Sequence, residues 1–573
     1  MEDSKMESFD LVIVGAGIHG LNMLKTYRDV HPSASILVLD KGSSIGGVWA
    51  KDRLYPGLHT NNHFQTFEFS DYPMNTEGFN LANDHIPGEH VNEYLHKYAE
   101  KFGLMKHIRF QCSVESAIDC GSSGWVLTVV EDTNPGTREF QLKASKLIVA
   151  TGLTSEPFVP KLENSETFDA PIYHSSEFAR AENGLGSFKE VVLLSGAKFS
   201  WDIACAYASA GIKVNWIIRE SGHGPCWMMP NRLTPLKIIP ELLLQTRLIT
   251  WLSPCIWEDG FSRIRSFFHQ HWLGRKIVDT FFAKMQHSAE EINDYSGHPE
   301  TAKLKPWDDV FFIGTNRGLL NYRVDFFEFV RNGTIKVHIA DITHLSHHTV
   351  HLSNGDTLPA DVLICGTGWK DTPQLNFVTK KELGLPGQTS GSLQDHILRA
   401  ESEIFENCPK LKQQPPPRHS KPMSTIKKET IPEPYRLYRF MVPPAFISTK
   451  TLAFAGTYRS PATTIIAQAQ ALWITAFFDD RISSLQATTQ DLTERINYET
   501  VLHTQFGKWR YSRGFGARFP ELWFDCLPYV DLMLKDVGVQ NERKKSWWAE
   551  RFTPYMPPDY AGIVEEYVTL KRI

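Results

Sequence analysis

The chain has few of the features that would place it outside a cell or across a bilayer. Its eight cysteines (Cys112, Cys120, Cys205, Cys226, Cys255, Cys365, Cys408 and Cys526) are scattered, with no C-x-x-C pair. That spacing excludes a disulfide scaffold and reads as reduced, buried thiols of an intracellular protein. No uninterrupted apolar run approaches the ~20 residues needed to span a membrane. The opening MEDSKMESFD is polar and runs straight into an apolar stretch, so no leader is expected and a cytoplasmic location is. Charge is nearly balanced, 60 Lys+Arg against 65 Asp+Glu for a net −5, which leaves no basic footprint for nucleic acid. With 573 residues the chain exceeds one core's usual size, so two or more domains are expected. Aromatics reach 12%, including 15 Trp and 35 Phe, a content that suits either large apolar cavities or core filling.

What is present begins at the N-terminus. Phe9 to Val14 is a short apolar run that fits a buried strand, and Gly15, Gly17 and Gly20 follow at G-x-G-x-x-G spacing where a helix begins. A second apolar run, Ile36 to Leu39, ends in Asp40. Together these form a complete dinucleotide-binding βαβ unit. The first Gly allows a tight turn, the second lets the backbone approach a pyrophosphate, and the third lets helix and strand pack closely. Free N–H groups at the helix start favour phosphate, and Asp40 can accept hydrogen bonds from a ribose.

Further along, His90 to Phe102 carries helical periodicity, and Trp125 to Val130 and Glu139 to Leu142 read as an antiparallel pair joined by the turn-rich DTNPGT. A separate buried strand is expected in KLIVATG, Lys146 to Gly152. From Glu190 the spacing of the first unit repeats: strand, small-residue turn, helix, strand. Ser195, Ala197 and Ser200 stand at the three glycine positions, and Arg219 replaces the acid. An Arg there accommodates a 2′-phosphate and selects NADP(H) over NAD(H), while a structural half without nucleotide stays open.

Residues Pro225 to Trp307 carry apolar and aromatic residues at helical spacing, broken by Pro235, Pro240 and Pro254, and read as an inserted helical subdomain over an active site. Arg263, Arg265, Arg275 and Lys276 flank aromatics there, so contact with a membrane surface stands as an alternative to a solvated face. The stretch TIKVHIADITHLSHHTVHLSNGDTL reads as a hairpin turning at Asn354-Gly355. The spacing of its His344, His347, His348 and His351 sets no ligand geometry, and no metal is expected. A strand is expected in DVLICGTGW, Asp361 to Trp369, and an exposed loop from Glu406 to Pro434. A strand, turn and helix are expected in TLAFAGTYRSPATTIIAQAQALWITAFF, followed by an aromatic, charged C-terminus ending in a polar tail.

Two nucleotide-binding halves, one ending in an acid and one in Arg, suit FAD and NADPH. Several motifs make this specific. The chain resembles the flavin-containing, class B monooxygenases, most closely their branch in fungal secondary metabolism. GAGIHG with Asp40 resembles the FAD fingerprint, GGVW at Gly46 to Trp49 the flavin-side turn, and HTNN with FSDYP, His59 to Asn62 and Phe69 to Pro73, the segment lining the isoalloxazine. Phe168-x-Ala170-x-x-x-His174-Ser175-x-x-Phe178 resembles the fingerprint between the domains, with Ala170 where Gly is usual. VATG at 149–152 and CGTGW at 365–369 resemble the strand ends that connect the two nucleotide domains. Tyr55-Pro56-Gly57 leads to Asn61 rather than Asp, and Phe178 replaces a closing Trp; both lean away from the Baeyer–Villiger enzymes. Ser195 and Phe199 depart from the usual second fingerprint.

The resemblance implies an α/β fold of two Rossmann-like domains with a helical insertion. Residues 1–185 would form the first part of the FAD domain, 186–365 the NADP domain with its insertion at about 225–307, and 366–573 the second FAD part and a C-terminal extension. It also implies that NADPH reduces FAD, that the flavin combines with O₂ at C4a, and that the resulting (hydro)peroxide passes one oxygen to a small organic substrate such as a polyketide. Baeyer–Villiger oxygenation, or oxidase or reductase activity without oxygen transfer, are the alternatives. Asn61 is the implied catalytic residue. The implied cofactor contacts are Gly15, Gly17, Gly20, Asp40, Lys41, Gly47, Val48, Trp49, His59, Thr60, Asn61, Phe64, Val114 and Gly152, with Ser195, Ala197, Lys198, Ser200, Arg219, Gly366 and Gly368 on the NADPH side and at the connecting strand ends.

Overall fold

The computed structural model describes residues 6–55, 57–78, 85–133, 135–178, 188–233, 239–314, 317–388, 393–415, 434–486, 489–511 and 516–572. Pro56, Pro235 and residues 416–433 of the proline-rich stretch lie outside them.

Two sheets organise the chain. In the first, Glu7–Val14 lies parallel between Ile36–Leu39 and the end of Thr137–Val149, and the far side of that long strand is covered by Leu452–Phe454, also parallel. Leu11 to Ile13 and Leu39 are wholly buried because both faces of a parallel sheet are covered, so the sequence there is continuously apolar. The expected pair of strands, one ending at Leu142 and one beginning at Lys146, is a single strand, Thr137–Val149. Its first part pairs antiparallel with Trp125–Asp132 and alternates buried with exposed, and its last three residues are all buried. The period changes from two to continuous because the covering layer changes, while the chain runs on unbroken.

The second sheet is wholly parallel, in the order Ile335–Ile339, Lys213–Ile218, Glu190–Leu194, Val362–Cys365 and Ile172–His174. This corrects the hairpin expected over TIKVHI: that segment is an edge of the parallel sheet. The meander starts later, with Ile342–Ser346, Thr349–Leu352 and Thr357–Pro359, and turns at Asn354-Gly355 as expected. Its histidines satisfy one another and their neighbours. His344 stacks on His351 at 4.0 Å, and His347 Nδ1 sits 2.8 Å from Asp169. Among the described residues no three His, Cys, Asp or Glu are placed to hold a metal.

The region from Pro225 to Trp307 opens with a short strand, Trp227–Met229, parallel to Arg317–Leu319, and is then mainly helical among the described residues, with Pro240–Leu244, Arg247–Leu252, Ser262–Gln270 and Trp272–Ile292. Pro240 opens its helix at the first turn, where a missing N–H costs nothing, and so does not break one. This layer shares a core with the C-terminal third: Trp227, Ile249, Phe282 and Phe311 pack with Ile404, Phe506 and Phe524. Arg247, fully buried, joins the two parts by pairing with Asp531 and, at 2.7 Å, with Glu550. A buried pair of this kind contributes little net stability but penalises any other docking of the layers.

Three smaller expectations are corrected. The loop expected from Glu406 follows a helix, Gln394–Asn407, and Cys408 and Leu411 just beyond it are buried. The expected polar tail is a docked helix, Ile563–Arg572, with Ile563 and Tyr567 buried and Lys571 paired to Asp479 at 2.7 Å. Of the eight thiols, expected to be buried, Cys120 is exposed, because it sits in the turn between two strands. No helix of the described residues is long and apolar enough to cross a membrane.

Candidate active site

The first glycine turn is built for a close-lying anion. Gly15 has φ +110°, and a Cβ there would stand 2.5 Å from the Ala150 carbonyl oxygen, so only glycine fits. A Cβ on Gly20 would meet the Gly15 oxygen at 1.8 Å, the close packing of helix on strand. Gly17 differs: its Cβ would meet Gly47 at ordinary contact distance, with Cα nearest at 3.6 Å. Gly17 is the N-cap of Ile18–Val30, with no side chain capping the first turn and no acid in it, so the helix presents free N–H groups. The Gly46 N–H donates to Ala16 O at 3.0 Å and brings Gly47, Val48 and Trp49 against this turn. The two turns form a cradle of backbone that fits a dinucleotide pyrophosphate.

Asp40 holds the cradle's shape. One carboxylate oxygen accepts from the Ala16 N–H at 2.6 Å and the other from the Gly42 N–H at 2.7 Å, and each keeps a lone pair for a ribose hydroxyl. Lys41 is exposed and donates to Ser155 O at 3.1 Å. Val114 is buried on Cys112–Asp119, whose first N–H bonds to Asp40 O. Gly152, at the exit of the long strand, has φ +68° and open space where a Cβ would stand. Trp49 packs edge-on against Phe67 at 6.0 Å, and Val48 is exposed beside it.

The strand His59–His63 carries the other flavin-side residues. His59 Nδ1 lies 2.8 Å from Gly57 O, Thr60 accepts from the Ile86 N–H at 3.1 Å, and Phe64 is buried in the core. Asn61 and Asn62 have different tasks. The Asn62 amide donates to Glu241 and to Pro461 O (2.7 Å), locking the strand to the helical layer. The Asn61 side chain is exposed, makes no hydrogen bond among the described residues, and lines a cavity of about 170 Å³.

Most of that cavity's wall was not legible in the sequence. It comes from the helical layer (Leu244, Ile249, Met285), from Leu319, and from Pro461, Trp523 and Phe524 near the C-terminus. Two charged groups stand in it. Glu241 accepts from the His63 N–H at 2.9 Å, the Thr66 hydroxyl and Asn62, and burial pushes its carboxyl up to about 7. Arg317 lies over the Trp523 ring, 3.4 Å from its centroid; its Nε and Nη2 are buried without a hydrogen-bond partner among the described residues, and burial lowers its pKa to about 9. An acid in the otherwise apolar PELLL and a base in GTNRG were the only local signals of either.

Because Glu241 ionises at a higher pH folded than unfolded, the folded state binds the extra proton between its ordinary value of 4.5 and about 7. Stability contributed by this group is therefore lost as pH rises through that window. Melting temperatures of wild type and Glu241→Gln, measured from pH 4 to 8, should diverge in this sense, with the variant losing less as pH rises. Parallel curves would show that the fold leaves the Glu241 carboxyl at its ordinary value.

The second turn is narrower. Ser195 holds φ +144°, a region where side chains are strained, and its hydroxyl accepts from the Ala197 N–H at 3.1 Å. Ser200 is wholly buried, and the close contact that a third glycine would give is supplied from the other side: a Cβ on Gly366 would meet Ser200 Oγ at 2.5 Å. Ala197 caps Lys198–Ser209 without a side-chain bond. Lys198 turns along this helix to Asp202 and reaches Asn321 Oδ1 at 3.2 Å, while Asn321 donates to Thr60 O at 3.1 Å and so ties this turn to the HTNN strand. Arg219 is exposed at the end of its strand, with no ion pair among the described residues. Gly368 accepts at 2.8 Å from His174 Nε2, anchoring the interdomain fingerprint.

A complete FAD-type cradle, a second nucleotide turn followed by an exposed Arg, and an apolar chamber beside the HTNN strand define a two-nucleotide oxidoreductase. The family model for flavin-binding monooxygenase-like (FMO-like) proteins matches residues 9–284. The FAD-dependent monooxygenase resA of Aspergillus sclerotiorum is 32% identical over 592 residues, covering 98% of each chain. A FAD-dependent monooxygenase of Pyrenophora dematioidea is 33% identical over 570 residues, covering 94% of this chain and 99% of the relative. Among solved structures, the polycyclic ketone monooxygenase of Thermothelomyces thermophila superposes with a TM-score of 0.59 at 17% identity, covering 93% of this chain and 89% of that one. The chain belongs to the flavin-binding monooxygenase-like family and is an FAD-dependent monooxygenase of the kind found in fungal secondary metabolism, with NADPH as reductant, as is typical of the family.

Proposed function

We propose that the chamber beside Asn61 is where one atom of O₂ enters a small, largely apolar secondary metabolite such as a polyketide. The observation that carries this reading is the pairing, in one apolar cavity, of the Asn61 amide and the buried Arg317 guanidinium, each with donors that have no partner among the described residues. When bound, FAD reduced by NADPH supplies the electrons that activate O₂. The backbone of residues 15–20 and 46–49 holds the FAD pyrophosphate, with Asp40 on the ribose. The turn at Ser195 to Ser200 receives NADPH, with Arg219 on the 2′-phosphate. Residues 1–185 and 366–573 act as the FAD domain and its extension, and 186–365 as the NADP domain. The insertion excludes water from the chamber, and Arg317 donates to an oxygen of the bound substrate or reacting group. We place the enzyme in the cytoplasm, where its unpaired thiols stay reduced.

Mass spectrometry after incubation of holoenzyme with NADPH, ¹⁸O₂ and polyketide, terpenoid or amine candidates should find one labelled oxygen in a product. Consumption of NADPH matched by hydrogen peroxide, with no labelled product in any class, would overturn the reading.

Asn61 gives the sharper test. It has no turn to stabilise, so Asn61→Asp and Asn61→Ala should keep fold, FAD content and NADPH oxidation. Each removes an amide donor, and the first adds a negative charge beside the reacting oxygen. Product per NADPH should fall several-fold while hydrogen peroxide rises to match. Unchanged coupling in both variants would make Asn61 a bystander of the cavity wall.

A further inference from the structure

The helices that line the cavity on one side carry an unusual outer surface on the other. Trp272 is 65% exposed at the start of its helix, with Leu273 and Ile277 beside it. Ile264 and Phe267 are exposed on the preceding helix, and Phe267 stacks on His271, next to Trp272. A second group comes from the C-terminal region: Trp547 and Trp548 are 58% and 68% exposed and Phe552 is exposed next to them. The two groups join. Trp251 packs on Phe261 at 5.4 Å and on Phe552 at 6.1 Å, and the Arg551 guanidinium lies over both Phe261 and Trp547. Soluble surfaces rarely expose so many large apolar side chains together.

Unpaired base predominates on this face, with Glu258 and Glu406 the exposed acids beside it and Glu542 paired to Arg551. Between Asp259 and Asp279 the sequence has no acidic residue. Arg263, Arg275, Lys276 and Lys545 are exposed and form no ion pair among the described residues. Arg265, expected to flank the aromatics, is instead buried against Asp259, where it fixes the helix. In a protein of net charge −5 this local excess of base is an asymmetry that orients the molecule towards an anionic plane.

We propose that this face docks on the surface of an anionic lipid bilayer, with the exposed tryptophans in the headgroup layer and the basic residues against lipid phosphates. Trp and Phe flanked by Lys and Arg are the chemistry of an interfacial anchor. A second copy of the chain fits poorly, because a two-fold contact of this patch with itself would oppose its own like charges. The docked helices place Ile249 and Met285 on the cavity side, so an apolar substrate leaving the bilayer has one helical layer to cross. This last step rests on the function proposed above; the docking does not.

Flotation of the FAD-loaded enzyme with phosphatidylcholine vesicles, with and without phosphatidylserine, tests the docking in the absence of substrate and NADPH, and so independently of the oxygenation. Wild type should float with the anionic vesicles, weakly with neutral ones, and less as salt is raised. Trp547→Ala/Trp548→Ala/Phe552→Ala and, separately, Arg275→Glu/Lys276→Glu should each weaken binding about tenfold or more while FAD content is unchanged. The charge variant keeps the test intact if the aromatic one fails to fold. Wild type remaining in the aqueous fraction with both vesicles, binding unaffected by the charge variant, or light scattering that shows a dimer dissolved by the aromatic variant would each overturn the proposal.

Discussion

Gly17→Val should purify as a soluble, folded, colourless protein. The native position has a β-region backbone that valine adopts, and its first added carbon finds 3.6 Å of space to Gly47 Cα, so the fold itself does not resist it. The branched methyls, however, would occupy the cradle between residues 15–20 and 46–49, where the pyrophosphate must approach backbone N–H groups directly. FAD occupancy, read from the visible spectrum, should drop to background while far-UV circular dichroism stays native. Gly20→Ala should behave differently: its Cβ would sit 1.8 Å from the Gly15 carbonyl, so helix and strand must separate and soluble yield should collapse. A yellow Gly17→Val would show that the nucleotide lies elsewhere. The pair of variants separates a glycine kept for the ligand from one kept for packing.

Arg219→Ala should erase most of the preference for NADPH over NADH. We assign the 2′-phosphate to the exposed guanidinium at the strand end, because Lys198 is already committed to Asp202 and Asn321. Losing a charge-assisted bidentate contact costs about 1.5–3 kcal/mol, a factor of roughly 10 to 150 in affinity. KM for NADPH should rise by that factor, KM for NADH should barely change, and FAD content should stay full. Equal use of both nicotinamides by wild type would instead make the Ser195–Ser200 turn a structural remnant.

The parts of this reading that were legible in the chain are local ones. Gly15, Gly17, Gly20 and Asp40 lie within 26 residues, and the contacts that give them meaning run between neighbouring strand, turn and helix. The same holds for the Asn354-Gly355 turn and the second βαβ repeat. The misreadings arise where a local pattern meets a distant partner. TIKVHI has the alternation of a hairpin strand, yet its partner is Lys213–Ile218, more than a hundred residues away. Arg265 carries a surface residue's charge, but Asp259 makes its burial tolerable.

By itself, then, the amino-acid sequence determined the two nucleotide turns, their order, and the family to which the chain belongs, because each rests on short-range geometry written in glycine spacing and apolar runs. Only the tertiary structure decided the chamber. Asn61, Glu241, Arg317, Pro461 and Trp523 come from five distant segments, and which of two adjacent asparagines is free depends on a carboxylate 179 residues away. The physical reason is that a cavity wall and a buried charge are properties of packing between layers. Periodicity along the chain reports which face of an element is covered, and is silent about what covers it.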